Sequence, residues 1–201
     1  MRIALALALS LTTVLPAAAA QLSKSYAYFS VGGVTLEALE DELNKRGPKL
    51  STTGRSHPGA TEMRFFTKIA YEESAKGCRI ADATVNVKAK IILPRWTARK
   101  QADGDTRLVW DTLSSDIKRH EESHALIAKN AARALEQALE DLPRQKTCEA
   151  LGASMNATAE RVLAAHDRDQ ERFDRIEGKQ FEDRIVRLLR YRIERSTNAA
   201  N

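Results

Sequence analysis

The feature that most constrains the fold is a change in hydrophobic period near residue 107. Before it, apolar and polar residues alternate in two runs, around 63–71 and 85–91, as in strands with one buried face. After it, to about residue 142, the apolar residues recur at helical spacing, at Leu113, Ile117, Ile127, Ala131, Leu135, Ala138 and Leu142. The sequence therefore predicts an α+β fold in which a small antiparallel sheet is followed by long helices.

Other segments complete this outline. YAYFSV at 26–31 is rich in aromatic residues and ends in a β-branched one, so it predicts a strand, and the leucine repeat at 36–43 predicts a short helix. We expect residues 21–201 to form a single domain, in which 26–92 are mainly strands with one short helix, 107–142 are the first long helix, and 149–196 are C-terminal helices.

The first twenty residues, MRIALALALSLTTVLPAAAA, predict a secretory signal peptide cleaved after Ala20. They combine a basic start at Arg2, an apolar run, a breaker at Pro16 and small residues before Gln21. A membrane anchor fits less well, because the apolar run is shorter than the roughly 20 residues that span a bilayer. No later segment is long and apolar enough to cross a membrane. We therefore expect a periplasmic or secreted protein.

Export bears on the two cysteines, Cys78 and Cys148, because disulfides persist outside the cytoplasm. Their pairing would close a loop of about 70 residues and, in the chain-entropy model, stabilise the fold by roughly 4 kcal/mol. A metal site built on cysteines would need more thiols than this chain contains. The sequence therefore predicts a Cys78–Cys148 disulfide that bridges the sheet to the end of the first long helix.

The sequence HEESH at 120–124 predicts a zinc site on the first long helix. Histidines four residues apart lie on one helix face, where both imidazoles can hold one Zn²⁺ ion. His120 and His124 also interrupt the apolar stripe, so each needs a polar partner. Zinc is one such partner and a buried carboxylate is the other. In the HExxH arrangement Glu121 acts on water at the metal rather than binding the metal.

A catalytic zinc site needs a third protein ligand and an open position. The glycine and histidine of a metzincin extension are absent, since Ile127 and Asn130 stand there. If the two long helices pack antiparallel, residues near 168–172 lie level with the motif, and His166 and Asp174 flank that level. Their positions along the helix do not decide whether His166 or Asp174 is the third ligand.

The formal charge of +5 is concentrated towards the C-terminus, where apolar residues recur between arginines in DRIVRLLRYRIER. Such a basic amphipathic helix is a possible surface for nucleic acid or an anionic membrane. We expect it to pack its apolar stripe and solvate its arginines, with no nucleic-acid partner. His57 lies in a polar loop beside proline, and we expect it to be solvated.

The order of YAYFSVGG, RGP, AT, Cys78, ILPRW, Trp110, HEESH, Cys148 and RFD, over roughly residues 26–174, resembles the bacterial family of predicted secreted zinc-dependent proteases catalogued as domain of unknown function 922. The resemblance implies a zincin-like site with His120 and His124 as ligands and Glu121 as catalytic base. The family's tyrosine-aspartate pair falls on Phe173-Asp174, which favours Asp174 as third ligand over its rival His166. The chain departs from the pattern where a threonine, a histidine and a glycine are replaced by Glu177, Lys179 and Gln180.

The expected function is that of a secreted or periplasmic zinc metallopeptidase, with a peptide or protein substrate. Zinc would activate a water molecule, and Glu121 would accept its proton as general base. The residue that stabilises the oxyanion is not identified, and Tyr28 and His166 are candidates. The alternative is a non-catalytic zinc-binding module outside the cytoplasm, which a fourth protein ligand would indicate.

Overall fold

The computed structural model describes residues 20–49, 54 and 56–200, with side chains to residue 198. Its elements are β1 (Leu22–Val31), α1 (Leu36–Arg46), β2 (Ala60–Ser74), β3 (Gly77–Trp96), a 3-10 turn (Arg99–Gln101), α2 (Gly104–Glu140), α3 (Cys148–Lys179) and α4 (Phe181–Ala200). The predicted α+β class, a small sheet followed by long helices, is confirmed. The predicted signal peptide lies outside the described residues except for Ala20.

The sheet has the strand order β1-β3-β2, with β3 in the centre. β2 and β3 form the predicted antiparallel pair, with Ala60 opposite Ile92. β1 runs parallel to β3, with Leu22 beside Val87, so the sheet is mixed rather than wholly antiparallel. Alternation in a sequence specifies which face of a strand is buried but not the direction of its partner, so this pairing could not be predicted.

The core lies between this sheet and α2. Alternate residues of β3 are buried against the helix, among them Val85, Val87, Ala89 and Ile91. The facing residues of α2 are small and fully buried, namely Ala125, Ala128 and Ala132. Because alanine carries only a methyl group, the helix can approach the strands closely, and the buried apolar surface stabilises the fold by about 25 cal/mol per Å².

Ile117 and Leu135 of the predicted stripe of α2 are buried as expected, but between them the most buried residues are one position away from the predicted ones. Ala128 and Ala132 are buried in the core that α2 forms with the sheet, whereas Ile127 and Ala131 line a groove between α2 and α3. α2 is covered on two sides, so residues of both stripes are apolar and the hydrophobic period alone does not decide which of them faces the sheet. The helix also begins earlier than predicted, because the side chain of Asp103 caps its first turn.

The predicted disulfide between Cys78 and Cys148 is confirmed. It joins the start of β3 to the first residue of α3, and not to the helix that carries HEESH. Two backbone hydrogen bonds of 2.8 Å between Cys78 and Gln145 lie beside it. Gly77 is required there, because its φ is +107° and a Cβ would lie 2.1 Å from the Gln145 carbonyl oxygen.

The basic C-terminal segment forms α4, which contacts α2 and α3. Arg184 is largely buried in that contact, whereas Tyr191 and Ile193 are about half exposed. Within 20–49 and 56–200, none of the helices combines the length and the apolar character needed to span a bilayer.

Candidate metal centre

Two histidines of α2 bring ring nitrogens together. His120 and His124 lie one turn apart, their Nε2 atoms are 3.1 Å apart, and their rings are nearly perpendicular, at 85°. Two nitrogen lone pairs at this distance repel each other, so the arrangement requires either a shared proton or a shared cation. The spacing in HEESH thus produces the paired imidazoles that the sequence predicts.

Asp174 of α3 meets the same two nitrogens. Its Oδ1 lies 3.3 Å from His120 Nε2 and 3.0 Å from His124 Nε2. Burial alone would raise the pKa of Asp174, but the two histidines outweigh it and hold this pKa far below its usual range. Burial likewise would lower the pKa of His124, yet hydrogen bonds to Asp174 and Gln170 raise it. Protons and a cation therefore compete for these atoms.

The three atoms fit a tetrahedral zinc ion. Zinc bonds of about 2.0–2.1 Å place tetrahedral ligands roughly 3.3 Å apart, and the observed separations are 3.0, 3.1 and 3.3 Å. Among the described residues, one group of at least three potential metal ligands is found, and it consists of His120, His124 and Asp174. Asp174 is about half exposed. A two-histidine, one-carboxylate site of this kind leaves a fourth position open.

Phe173 fixes the histidine rings from the side of α3. Its ring stacks on His120, with centroids 5.0 Å apart, and meets His124 edge-on at 5.1 Å. Such contacts restrict ring rotation, so both Nε2 atoms stay directed at Asp174.

The second ring nitrogen of each histidine also faces α3. Gln170 Oε1 is hydrogen-bonded to His124 Nδ1, and Glu177 Oε2 lies 3.7 Å from His120 Nδ1. Metal-bound histidines in proteins are commonly oriented by a polar group at the far nitrogen. α3 therefore supplies one candidate ligand, a hydrogen bond that orients His124, and a carboxylate near the far nitrogen of His120.

Glu177 belongs to a cluster of four charges that joins three helices. Arg119 and Arg184 both contact it, and both also bind Asp116, with Arg119 Nε 2.9 Å from Asp116 Oδ1. Asp116 is 4% exposed. Burial alone would raise its pKa, but the hydrogen bonds from Arg184 and Arg119 dominate and lower it. The cluster fixes the α3–α4 junction against α2.

Glu121 is held by β2 through its carboxylate. It is 5% exposed, and its Oε2 accepts a hydrogen bond of 2.8 Å from the hydroxyl of Thr61. Burial raises the pKa of Glu121, although the Thr61 hydrogen bond opposes this. Gly59 allows the chain to pass closely over the carboxylate, since a Cβ there would lie 2.9 Å from Glu121 Oε1. The local fold holds this side chain in one orientation.

A cavity of about 650 Å³ brings these groups together. One side is formed by the start of β2 and the residues before it, and the other by α3 and α4. The residues that line it are His57, Pro58, Gly59, Ala60, Thr61, Met63, Asp116, Ile117, His120, Glu121, His124, Gln170, Asp174, Glu177, Gly178, Phe181 and Arg184. Glu121 and the three candidate ligands thus face one space.

The other predicted site residues are placed differently. His166 is buried behind the histidine pair, where its Nε2 contacts Gln170, and it is not in the candidate ligand group. Tyr28 is half exposed under Arg95 and does not line the cavity. His57 does line it.

Sequence reasoning missed two groups at the site. Gln170 falls inside the range 168–172 that lies level with HEESH in an antiparallel helix pair, but an amide is not a usual zinc ligand, so its residue type does not indicate a role at a metal site. The pairing of Asp116 with Arg184 spans 68 residues and leaves no periodic pattern in the sequence.

Comparison with known proteins gives one match. The family described as "Bacterial protein of unknown function (DUF922)" matches residues 26–181, which include every residue of the candidate ligand group. Neither the curated proteins nor the solved structures contain a match to the chain.

Proposed function

The chain belongs to the DUF922 family of bacterial proteins of unknown function, and on this premise we propose that it is a zinc-dependent peptidase that acts outside the cytoplasm. The observation that carries the proposal is the convergence of His120 Nε2, His124 Nε2 and Asp174 Oδ1, at separations of 3.0 to 3.3 Å. Nitrogen and oxygen ligands in tetrahedral spacing are the donor set that zinc prefers.

The number of ligands favours catalysis over a structural role. Structural zinc sites have four protein ligands, whereas catalytic sites have three and an open position. Among the described residues no fourth histidine, cysteine, aspartate or glutamate joins the group. The alternative of a non-catalytic zinc module lacks the further ligand that it requires.

Zinc bound at this site would polarise a substrate carbonyl and lower the pKa of a bound water. Glu121 is the base that accepts the water proton and then passes it to the leaving amine. The hydroxyl of Thr61 donates to one oxygen of the Glu121 carboxylate. This hydrogen bond keeps the Glu121 side chain fixed while the carboxylate takes up and releases the proton. The Glu121 carboxylate and the ligands line one cavity, which allows both to act on one peptide bond.

The wall of the cavity is suited to an extended peptide substrate. Its wall includes Ala60, Thr61 and Met63 at the start of β2, an outer strand of the sheet. An extended chain can add to such an edge through backbone hydrogen bonds. Ile117 and Phe181 add apolar surface, which suits an apolar side chain of the substrate.

The location outside the cytoplasm rests on two observations. The Cys78–Cys148 disulfide is the kind of bond that persists in oxidising compartments. The N-terminal sequence has the basic, apolar and small-residue regions of a secretory signal.

Zinc binding is tested first, by competition titration with a chromophoric chelator on residues 21–201. We expect about one zinc per chain. Asp174→Asn should bind it more than about a hundredfold more weakly, because even groups behind metal ligands contribute 10- to 100-fold. His166→Ala should keep stoichiometric binding, since His166 lies outside the ligand group. Loss of zinc in His166→Ala with retention in Asp174→Asn would contradict this ligand assignment.

Catalysis is tested by the pair Glu121→Gln and Glu122→Gln. The first removes the base and should keep zinc while turnover of a susceptible peptide falls by about 10²–10⁴-fold. The second is a matched control, because Glu122 is adjacent but binds Tyr26 and Lys24 on the β1 side. Equal peptide cleavage by wild type and Glu121→Gln would refute the mechanism.

A further inference from the structure

We propose that Gln170 positions His124 for metal binding by fixing which ring nitrogen carries the proton. Gln170 lies on α3 one turn before Asp174, and it is partly buried between α3 and α2. The inference rests on the zinc site of the proposed function, and it assigns a role to a residue that would not itself touch the metal.

The surroundings of Gln170 determine the orientation of its amide. Its Nε2 lies 3.1 Å from the backbone oxygen of His124, 2.8 Å from His166 Nε2 and 3.6 Å from Met63 Sδ. A backbone carbonyl can only accept, so the amide nitrogen and not the amide oxygen must face it. A flipped amide would place two oxygens against each other at this point.

The orientation of the amide then determines the state of His124. Gln170 Oε1 faces His124 Nδ1, and because an amide oxygen can only accept, Nδ1 must carry a proton and donate it. The Nε2 atom is therefore the nitrogen whose lone pair can bind a metal. It is also the nitrogen that faces Asp174 and His120.

His166 extends this hydrogen-bond chain by one residue. Its Nε2 accepts from Gln170, so its own proton is on Nδ1, which lies 3.1 Å from Asp167 Oδ1. The His166 ring is buried and meets Phe65 edge-on, with centroids 5.3 Å apart. His166 thus holds Gln170 in place and contributes to the metal site through it.

The direction of the chain is the same throughout. His124 Nδ1–H donates to Gln170, Gln170 donates to His166, and His166 donates to Asp167. Each step follows from the fixed acceptor at the His124 backbone oxygen. At His120 the corresponding group is Glu177, whose carboxylate lies 3.7 Å from Nδ1, beyond hydrogen-bond distance, and is held mainly by Arg119 and Arg184. Gln170 therefore makes His124 the better oriented of the two histidines.

Three variants test the proposal by zinc titration. Gln170→Leu removes the polar groups and should weaken zinc binding by about 10- to 100-fold, the usual effect of a group behind a ligand. Gln170→Glu keeps an acceptor for His124 Nδ1 and should stay within about threefold of wild type. It should melt at a lower temperature, because its carboxylate faces a backbone carbonyl. Gln137→Leu is the control, since this glutamine of α2 is exposed and its side chain donates a hydrogen bond to Asp141, away from the site.

The proton position is measured directly by two-bond ¹⁵N–¹H correlation of the histidine rings in the zinc-loaded proteins. Wild type and Gln170→Glu should show His124 protonated at Nδ1 and ligated through Nε2, and Gln170→Leu should lose the hydrogen-bonded Nδ1–H signal. Unchanged zinc affinity and ring spectrum in Gln170→Leu would overturn the proposal. Equal losses of affinity in Gln170→Leu and Gln170→Glu would also overturn it, because a packing role predicts that result.

The outcome separates this proposal from the proposed function. If wild type binds zinc but cleaves no peptide, and Gln170→Leu binds zinc more weakly than Gln170→Glu, the peptidase function fails and the role of Gln170 stands. If wild type binds zinc and cleaves while Gln170→Leu binds equally well, only the role of Gln170 fails. Absence of zinc from the wild type after loading would overturn both.

Discussion

The two ends of the α2–α3 helix pair are held together by different kinds of interaction. At the end that carries the disulfide, which we call the closed end, the contacts are apolar and Leu135, Leu139 and Leu151 are 0–3% exposed. At the other end, the site end, the buried groups include Asp116 and Glu121, and two arginines and two histidines surround them. One pair of helices thus has an apolar, covalently closed half and a charged half.

The difference shows how the fold divides its tasks. Apolar packing is non-directional, so the closed end stabilises the pair without specifying the placement of individual atoms. Buried charges are costly unless each finds a partner, so the site end tolerates few arrangements. The protein accepts that cost where the candidate metal ligands must be placed. Substitutions at the two ends should therefore change the free energy of unfolding by different mechanisms.

The largest expected effect is at the closed end. Replacing Cys78 and Cys148 together by alanine should lower the free energy of unfolding by about 4 kcal/mol, because the unfolded chain regains the freedom of a 70-residue loop. Urea unfolding measures this change, and reduced wild type is the control that should match the double variant. Zinc affinity of the folded variant should be unchanged. A loss below about 1 kcal/mol would show that the closed end is held by packing alone.

The next effect is at the site end. Asp116→Asn should cost about 3 kcal/mol at pH 7, because it removes a buried carboxylate that pairs with Arg119 and Arg184 and leaves the largely buried Arg184 with Glu177 alone. The pKa of Asp116 is lower in the folded protein than in the unfolded chain. Its carboxylate therefore contributes fully to the free energy of unfolding above the unfolded pKa near 4, and this contribution disappears as the pH falls through the folded pKa. Urea unfolding at pH 7 and pH 3 should show the difference between wild type and variant shrinking at pH 3. A difference that is independent of pH would contradict this assignment.

The smallest effect is expected for a charge pair outside both ends. Lys90 Nζ lies 3.3 Å from Glu62 on the open face of the sheet, and the two side chains are 51% and 60% exposed. Lys90→Ala should change the free energy of unfolding by less than about 0.5 kcal/mol, since solvent screens exposed pairs. The same urea titration at low and high salt checks this. A change as large as that of Asp116→Asn would mean that burial does not distinguish the two charge pairs.

Local patterns in the sequence predicted the parts of the fold that depend on local chemistry. The alternating runs around Phe65 and Val87 predicted the β2–β3 pair, and the HEESH spacing predicted the convergence of His120 and His124. The two cysteines could pair only with each other. In each case the relevant periodicity or count is contained in the sequence itself.

The remaining features depend on contacts between distant segments. The parallel pairing of β1 with β3 joins residues about 65 positions apart, as with Leu22 and Val87. Antiparallel packing of the two long helices predicts that residues near Gln170 and Asp174 lie level with HEESH, but it does not predict a hydrogen-bond chain through an amide. The charge cluster around Asp116 was missed for the same reason, because nothing in the order of residues assigns Arg184 to it.

The distance between the disulfide and the site has a mechanical consequence. Asp174 lies 26 residues after Cys148 along one helix, which at 1.5 Å per residue is about 39 Å. Over that length a tilt of about 5° at the crosslink would displace the carboxylate by about 3 Å, as much as the spacing between the candidate ligands. The disulfide alone therefore does not fix the position of the Asp174 carboxylate to within the spacing of the candidate ligands. The position of α3 relative to the two histidines must be set at the site end, by Phe173, Gln170 and the arginines that hold Glu177.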